Sequence, residues 1–408
     1  MSHLFKFILS LCMTLMVVFL CVHCSQVASS VDKESVEGNG EPEEPKKWIE
    51  FEKPEYVRGI YLTAWSAGST RKMENVLKML EETDLNALVI DIRDAGNVYF
   101  KTGIDLADNA KASHNAVRDP KALMQLLKDN NIYPIARISC FKDKFVPEFD
   151  KNLAVQKPDG KIWKDRSGSP WLDPYNLENW KYLSEVVLYA LELGFPEIQL
   201  DYVRFPSEGD VKNMVFPAKS KYPKKDAPPQ EVIRDFANYI RDLVHEHEAV
   251  ISADLFGIIS SGQDDQGIGQ QLEEVAEPFD LICPMVYPSH YAKGEYGIKD
   301  PNSFPYAIVK ASLADFLKRL PDKPIRPWLQ DFSLGVKYGK SEVQAQIQAC
   351  YELGIYEFLL WNPRNIYTSD AVKNTKSLMP KEKPKELPQE DIEKKLKDEP
   401  INTSTSGI

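Results

Sequence analysis

The sequence is poor in histidine and lacks the common spacings of metal ligands. Its 408 residues include only six histidines, and neither an HExxH motif nor a paired CxxC motif is present. These absences disfavour the usual zinc-enzyme patterns. A GxSxG nucleophile elbow is also missing, which disfavours a serine hydrolase. We therefore expect no bound metal and no cofactor.

Cysteine and clustered positive charge are scarce beyond the first 24 residues. Only Cys140, Cys283 and Cys350 remain there, an odd set that indicates no disulfide framework. Each lies in an apolar run, as expected of a small buried hydrophobic side chain. The 61 acidic residues outnumber the 50 basic ones, and no basic stripe with interleaved aromatics occurs. Nucleic acid is therefore not an expected partner.

The two ends of the chain differ in composition from its middle. Residues 1–24 carry one Lys before the apolar run Phe7–Val22, which is typical of a signal peptide or a membrane anchor. Cys24 is a candidate for lipidation, although cleavage and secretion are the preferred prediction. Residues 25–52 indicate an acidic disordered tether, and residues 380–408 indicate a charged disordered tail. These ends predict an extracytoplasmic protein, secreted or tethered to the outer face of the cell membrane.

Between the ends, apolar strand-like runs alternate with helix-period segments. The predicted helices are 73–82, 120–129, 178–193, 231–245, 269–276, 307–320 and 342–353. This order favours α/β architecture with a parallel sheet. No glycine-rich phosphate fingerprint follows the first run, where TAWSAGST stands, which disfavours a doubly wound open sheet. We predict a (β/α)₈ TIM barrel with long βα loops over residues 53–379. The predicted strands are 57–65, 86–94, 132–141, 197–205, 249–256, 280–287, 325–332 and 357–363.

Three connections that follow predicted strands are long and rich in aromatic residues. They cover residues 142–176, 206–230 and 288–306, on the barrel face where active sites are built. Their aromatic side chains combine apolar faces with polar tips, which suits sugar binding. The alternative is that these rings only hold long loops against the rim. The loop aromatics are Trp163, Trp171, Tyr175, Tyr287, Tyr291 and Tyr296.

Aspartates stand where several of the predicted strands end. A carboxylate on a strand buried on both faces is costly unless it is paired or opens to a cleft. The aspartates concerned are Asp91, Asp94, Asp201, Asp254 and Asp331. Arg137 and Arg204 could hold one carboxylate ionised while burial raises the pKa of another. Two such carboxylates are the minimum equipment for glycosidic bond cleavage, but a purely structural Asp–Arg network is the alternative.

Several segments resemble the bacterial "putative glycosyl hydrolase" domain family of the TIM-barrel glycosidase superfamily. They are RGIYLTAWSAG, ALVIDIRDAGNVYF, IQLDYVRFPSEG, ISADLFG, CPMVYPSHY and LWNPRN. The family is distantly similar to α-amylase-type enzymes. By position, this resemblance implies Asp201 as nucleophile, Asp254 as acid/base and Asp331 as a third catalytic carboxylate.

Two departures from the α-amylase pattern affect this assignment. Gln199 replaces an arginine two residues before the strand-four aspartate, and Asp254 replaces a glutamate. An aspartate reaches about one methylene less far, so the backbone lies closer, the reaction is inverting, or the site does not hydrolyse. Arg137, on the preceding strand, could supply the missing positive charge.

The main hypothesis is a glycoside hydrolase that acts on a cell-envelope or extracellular polysaccharide through paired aspartates. The alternative is a non-catalytic carbohydrate-binding or envelope-scaffolding barrel. A polysaccharide lyase or deacetylase is a third interpretation, for which no base set is evident. The residues predicted to bind substrate are Asp91, Arg137, Trp171, Arg204, Tyr287, His290, Trp361 and Asn362.

Overall fold

A closed barrel of eight parallel strands forms the centre of the protein. The computed structural model of the chain describes residues 48–380. The strands are β1 Arg58–Leu62, β2 Ala87–Asp94, β3 Tyr133–Ser139, β4 Glu197–Asp201, β5 Val250–Phe256, β6 Leu281–Met285, β7 Trp328–Gln330 and β8 Phe358–Trp361. Strand β1 pairs with both β2 and β8, which closes the barrel. The predicted (β/α)₈ fold is therefore confirmed.

Helices connect the strands and cover the outside of the barrel. They are α1 Ala64–Ala67, α2 Thr70–Glu81, α3 Asp105–Asn109, α4 Pro120–Asp129, α5 Val146–Phe149, α6 Leu177–Glu192, α7 Pro229–Glu246, α8 Leu272–Ala276, α9 Pro305–Arg319 and α10 Lys340–Glu352. The short helices α1, α3 and α5 lie in βα connections and were not predicted from the sequence. Two 3₁₀ turns, Ser369–Ala371 and Thr375–Leu378, follow β8.

Local signals explain why the helices form where they do. Helix α4 begins after Asp119, whose side chain accepts a hydrogen bond from the Ala122 amide at 2.9 Å, and Pro120 occupies the first helical position. Leu123, Met124 and Leu127 form its buried stripe. Helix limits predicted from such stripes therefore agree closely with the structure.

The barrel has an inner and an outer apolar layer. The inner layer fills the space between the strands with side chains that include Val89, Ile135 and Leu359. The outer layer packs alternate strand residues, such as Ile90, against the helices. Because successive side chains of a strand point to opposite faces, each strand contributes to both layers. Polar side chains at the carboxyl ends of the strands open into the mouth of the barrel.

Packing against the barrel begins before residue 53. Ile49 is buried, and Trp48 Nε1 donates to the Glu192 carbonyl at 3.1 Å. Residues 48–52 fall within the predicted tether, but Ile49 packs against Gly194, where an added β-carbon would lie 2.3 Å from the Ile49 side chain. The predicted signal or anchor, the possible lipidation at Cys24, the rest of the tether and the charged tail from residue 381 lie outside the described residues.

The three cysteines within the barrel are free and buried, as the sequence predicted. Across residues 48–380, no helix combines the length and apolar character needed to cross a membrane.

Candidate active site

A cavity of about 390 Å³ opens at the carboxyl ends of the strands. This volume is at the lower end of the roughly 300–1,000 Å³ typical of small-molecule sites. Its wall combines two arginines, three carboxylates and several aromatic rings. The lining residues are Arg137, Asp201, Tyr202, Arg204, Glu208, Asp254, Phe256, Gly257, Ile258, Met285, Tyr287, His290, Tyr291, Trp328 and Trp361.

Arg137 on β3 is the centre of a buried ionic network. Its Nη2 and Nε atoms lie 2.5 and 3.1 Å from Asp201 Oδ2. Its Nη1 atom contacts Asp91 at 2.5 Å and Asp94 at 3.2 Å. Strands β3 and β4 pair with Arg137 beside Gln199, so the guanidinium reaches Asp201 from the neighbouring strand. Arg137 thus supplies the positive charge that Gln199 does not.

Asp254 on β5 shares the cavity but has no cation as close. Its Oδ2 atom lies 3.9 Å from Arg137 Nε, and its Oδ1 atom accepts a 2.6 Å hydrogen bond from Trp328 Nε1. Burial and the negative charge of Asp201 raise the pKa of Asp254 well above its usual range. The two carboxylates therefore occupy different electrostatic environments.

The separation of the two carboxylates is bounded by their shared neighbour. Since Arg137 Nε lies 3.1 Å from Asp201 Oδ2 and 3.9 Å from Asp254 Oδ2, these two oxygens are at most about 7.0 Å apart. Retaining glycosidases hold their carboxyl groups about 5–5.5 Å apart, and inverting enzymes about 6.5–9.5 Å apart. Because the bound applies to one oxygen pair only, it is compatible with both a retaining and an inverting arrangement.

The backbone turns sharply where β4 delivers Asp201 to the cavity. Tyr202 has a φ of 49°, in the left-handed region that non-glycine residues rarely adopt. In this conformation the Tyr202 amide donates to Asp201 Oδ1 at 2.6 Å. Asp201 thus accepts bonds from both sides, and the local strain fixes the direction of its carboxylate.

Four of the predicted site residues lie outside the cavity lining. Asp331 accepts hydrogen bonds from the Thr368 amide and hydroxyl at 2.8 and 2.6 Å, and burial raises its pKa to about 6. Asn362 donates to the Ile366 carbonyl of its own loop and to the Asp331 carbonyl of the loop after β7. The structure therefore gives both residues bracing contacts and does not bring Asp331 to Asp201 and Asp254.

The other two members of this group lie behind the cavity wall. Asp91 contacts Arg137 and accepts a 2.5 Å bond from the Tyr61 hydroxyl, and burial raises its pKa to about 7. Trp171 is buried and donates to Asp165 at 3.1 Å. Both support residues of the wall.

The predicted aromatic loops divide into two groups. Tyr287 and Tyr291 line the cavity, and burial raises the pKa of both hydroxyls. Trp163 and Tyr175 are instead buried within the loops, which supports the alternative that they hold those loops in place. His290 and Trp361 also line the cavity, and burial lowers the pKa of His290.

Several lining residues were not predicted from the sequence. They are Tyr202, Glu208, Phe256, Gly257, Ile258, Met285 and Trp328. Trp328 stands in an apolar strand and has the pattern of a core residue. Its contact with Asp254 joins two strands 74 residues apart, which no local signal shows. Among residues 48–380, no three His, Cys, Asp or Glu side chains are arranged to hold a metal ion.

The fold and the carboxylate-lined mouth define a barrel of the kind that carries enzyme sites on this face. The chain belongs to the family described as "Putative glycosyl hydrolase domain", whose model matches residues 59–367. No curated protein matches the chain.

Several solved structures are similar to parts of the chain. The glycoside hydrolase domain of PgaB (BpsB) from Bordetella bronchiseptica is similar over 78% of this chain and 99% of that domain, with 14% identity and a TM-score of 0.60. A hypothetical protein from Ruminiclostridium thermocellum is 34% identical over 48% of this chain and 96% of its own, with a TM-score of 0.43. An α-galactosidase from Thermus thermophilus is 13% identical over 78% of this chain and 60% of its own, with a TM-score of 0.47.

Proposed function

We propose that the protein is a glycoside hydrolase in which Asp201 is the nucleophile and Asp254 the acid/base. The observation that carries this proposal is the inequality of two buried carboxylates in one cavity. Asp201 bonds Arg137 at 2.5 Å, whereas Asp254 lies 3.9 Å from the same guanidinium and has a raised pKa. Glycosidic cleavage requires one carboxylate to attack or activate water and one carboxylic acid to protonate the leaving oxygen.

The chemistry proceeds in two steps in this proposal. Protonated Asp254 donates its proton to the glycosidic oxygen while an Asp201 oxygen attacks the anomeric carbon. The C–O bond to the leaving group breaks, and a glycosyl ester forms on Asp201. Asp254, now a carboxylate, takes a proton from water that hydrolyses this ester, which restores both groups. The bound of about 7.0 Å between the two Oδ2 atoms is compatible with this retaining course.

The remaining wall residues position the sugar in this proposal. Arg137 holds Asp201 and screens its charge, and Tyr287, His290 and Trp361 present polar tips and ring faces to the cavity. Ring faces suit the apolar face of a sugar, and polar tips suit its hydroxyls. The apolar run Phe7–Val22 supports a substrate outside the cytoplasm, in the cell envelope or beyond it.

Azide rescue tests the proposal directly. Nitrophenyl glycosides and cell-envelope polysaccharides are first screened for turnover by the wild type. We expect Asp201→Ala and Asp254→Ala each to lower turnover of an aryl glycoside by about 10²–10⁴-fold. Azide then restores turnover in both, because it replaces the missing nucleophile in one variant and needs no general base in the other.

The configuration of the azide products separates the two roles. Asp201→Ala yields a glycosyl azide of inverted configuration, and Asp254→Ala yields one of retained configuration, both read by NMR. Asp331→Ala is the matched control, because Asp331 lies outside the cavity lining. Sugar binding without any turnover by the wild type would contradict the proposal and favour a binding-only barrel. Wild-type turnover in both variants would also contradict it.

A further inference from the structure

A second arginine in the cavity has no carboxylate partner. Arg204, just after β4, is 7% exposed, and no carboxylate in the described part of the chain lies within salt-bridge distance of it. Of the other buried arginines, Arg93, Arg137 and Arg326 each contact a carboxylate, whereas Arg58 at the start of β1 donates to the Tyr356 carbonyl and lies outside the cavity lining. The sequence pointed to Arg204 as a partner for Asp201, but Asp201 bonds Arg137 and the Tyr202 amide instead. An unpaired buried charge is costly unless something neutralises it.

Aromatic rings hold the Arg204 guanidinium in one orientation. Its central carbon lies 5.1 Å from the Trp171 ring centre, 5.0 Å from Tyr202 and 4.5 Å from Phe256. These cation–π contacts partly replace water, so the charge can be kept in a buried position. The low exposure of the group still lowers its pKa.

Among residues 48–380, Nη1 is the one nitrogen of this guanidinium that donates hydrogen bonds to the protein. Nη1 donates to the Phe205 carbonyl at 3.0 Å and to the Ser207 hydroxyl at 3.1 Å. Nε and Nη2 have no hydrogen-bond partner among residues 48–380, and Arg204 lines the cavity. The N–H groups of Nε and Nη2 are therefore the donors of this guanidinium that are left for a ligand in the cavity. Such a fork matches a planar carboxylate through two parallel hydrogen bonds.

We infer that Arg204 binds the carboxylate of an acidic sugar in the substrate. The inference rests on the proposed function for the nature of the substrate as a sugar, and it names the substrate class. Two sources have this chemistry: a uronic acid, and a sugar that carries a carboxyalkyl ether, such as muramic acid. A neutral sugar would leave Arg204 without a carboxylate in direct contact in the filled cavity, where Asp201, Glu208 and Asp165 act on its charge only from a greater distance.

Binding to matched acidic and neutral glycans tests the inference. The probes are oligogalacturonates and peptide-free muramic acid glycan strands, each compared with the same glycan after its carboxyl groups are reduced to alcohols. Calorimetry uses the Asp254→Asn variant so that binding is measured without hydrolysis. We expect at least one acidic glycan to bind about 100-fold more tightly than its reduced form. Which glycan shows this preference identifies the source of the carboxylate.

Substitutions of Arg204 test whether this residue causes the preference for acidic glycans. Arg204→Met should bring the ratio of the two affinities close to one, and Arg204→Lys should leave it intermediate because the charge remains but the fork is lost. Arg364→Met is the matched control, since Arg364 is an exposed arginine in the loop after β8, and it should keep the full ratio. Thermal melting shows that each variant is folded.

Two outcomes overturn the inference. One is that neither acidic glycan binds more tightly than its reduced form. The other is a preference that survives Arg204→Met. Failure of this inference can be distinguished from failure of the proposed function. If the protein has no turnover but prefers acidic glycans in a manner that depends on Arg204, the hydrolase proposal is refuted and the inference about Arg204 stands.

Discussion

The two ends of the barrel interior each contain a buried arginine among carboxylates, but they differ in how the charges are matched. At the amino ends of the strands, Arg326 contacts Glu197 at 2.7 Å and Glu357 at 2.8 Å, and the Ser252 hydroxyl donates to Glu197 at 2.7 Å. We call Arg326, Glu197 and Glu357 the lower cluster. At the carboxyl ends, Arg137 forms ion pairs with Asp201, Asp91 and Asp94, whereas Asp254 lies farther from its guanidinium, at 3.9 Å. We call Arg137 and these four aspartates the upper cluster.

The difference in contact with the arginine distinguishes an ion-pair network that only stabilises the fold from one whose carboxylates are suited to catalysis. Both carboxylates of the lower cluster bond the same cation directly, and Arg326 and Glu197 are completely buried. The upper cluster opens into a cavity and retains a carboxylate whose pKa is strongly raised. Displaced pKa values beside a cleft are typical of functional sites, whereas matched buried pairs are found in structural networks as well. Substitutions in the lower cluster therefore show the effect of breaking a buried ion pair alone, with which substitutions in the upper cluster can be compared.

The largest effect is expected from breaking the lower cluster. Arg326→Met leaves Glu197 buried without its cation, so the free energy of unfolding should fall by about 3–5 kcal/mol. Urea unfolding measures this loss. The variant that remains folded should keep the wild-type kcat/KM, because Arg326 is not part of the cavity wall.

Arg137→Met is the matched comparison at the other end. It should destabilise the protein by a similar mechanism, but it should also abolish turnover because Asp201 loses its ionic partner. Two results would contradict the assignment of a structural role to the lower cluster and a catalytic role to the upper one. One is that folded Arg326→Met has no turnover, and the other is that it unfolds at the same urea concentration as the wild type.

A smaller and opposite effect is expected at Asp254. Its pKa in the folded protein is raised, so between the unfolded value of 3.8 and the folded value the native state binds more protons than the unfolded state. The free energy of unfolding should therefore fall as the pH rises through this window. Asp254→Asn removes the titration, so the variant should gain stability relative to the wild type as the pH rises.

The expected gain is absent below the unfolded pKa of 3.8 and grows as the pH rises above it. Urea unfolding of both proteins at several pH values measures it. Asp129→Asn provides the control, because Asp129 is an exposed residue at the end of α4. A variant that is less stable than the wild type at every pH would contradict the raised pKa.

The amino-acid sequence was sufficient to predict the barrel because the fold depends on local periodicities. All eight predicted strands contain an observed strand, and helix α4 was predicted with its exact limits. The sequence also identified Asp201 and Asp254 as strand-end residues of one mouth, since parallel strands end on one face. Packing of Ile49 depends on Gly194, which is far away in the chain, and could not be predicted in this way.

The direction of individual side chains was harder to predict than their position. Trp328 and Asp331 belong to the same predicted strand, but β7 ends at Gln330 and alternation places them on opposite faces. The predicted third carboxylate therefore bonds Thr368, while an apparently apolar tryptophan reaches Asp254. The choice of ionic partner could not be predicted either. Both Arg137 and Arg204 were candidates, and the structure shows that Arg137 pairs with Asp201.

The smallest expected effect tests how the upper cluster is tuned. The Trp328 N–H stabilises the ionised form of Asp254 and so lowers its pKa. Trp328→Phe removes this bond, so the alkaline limb of the kcat/KM profile should move to higher pH by up to about one unit. Trp163→Phe loses the same N–H from a bond to the Asp210 carbonyl and should leave the limb in place. Because burial already raises the pKa of Asp254, a shift to lower pH in Trp328→Phe would mean that Asp254 is not the group that titrates.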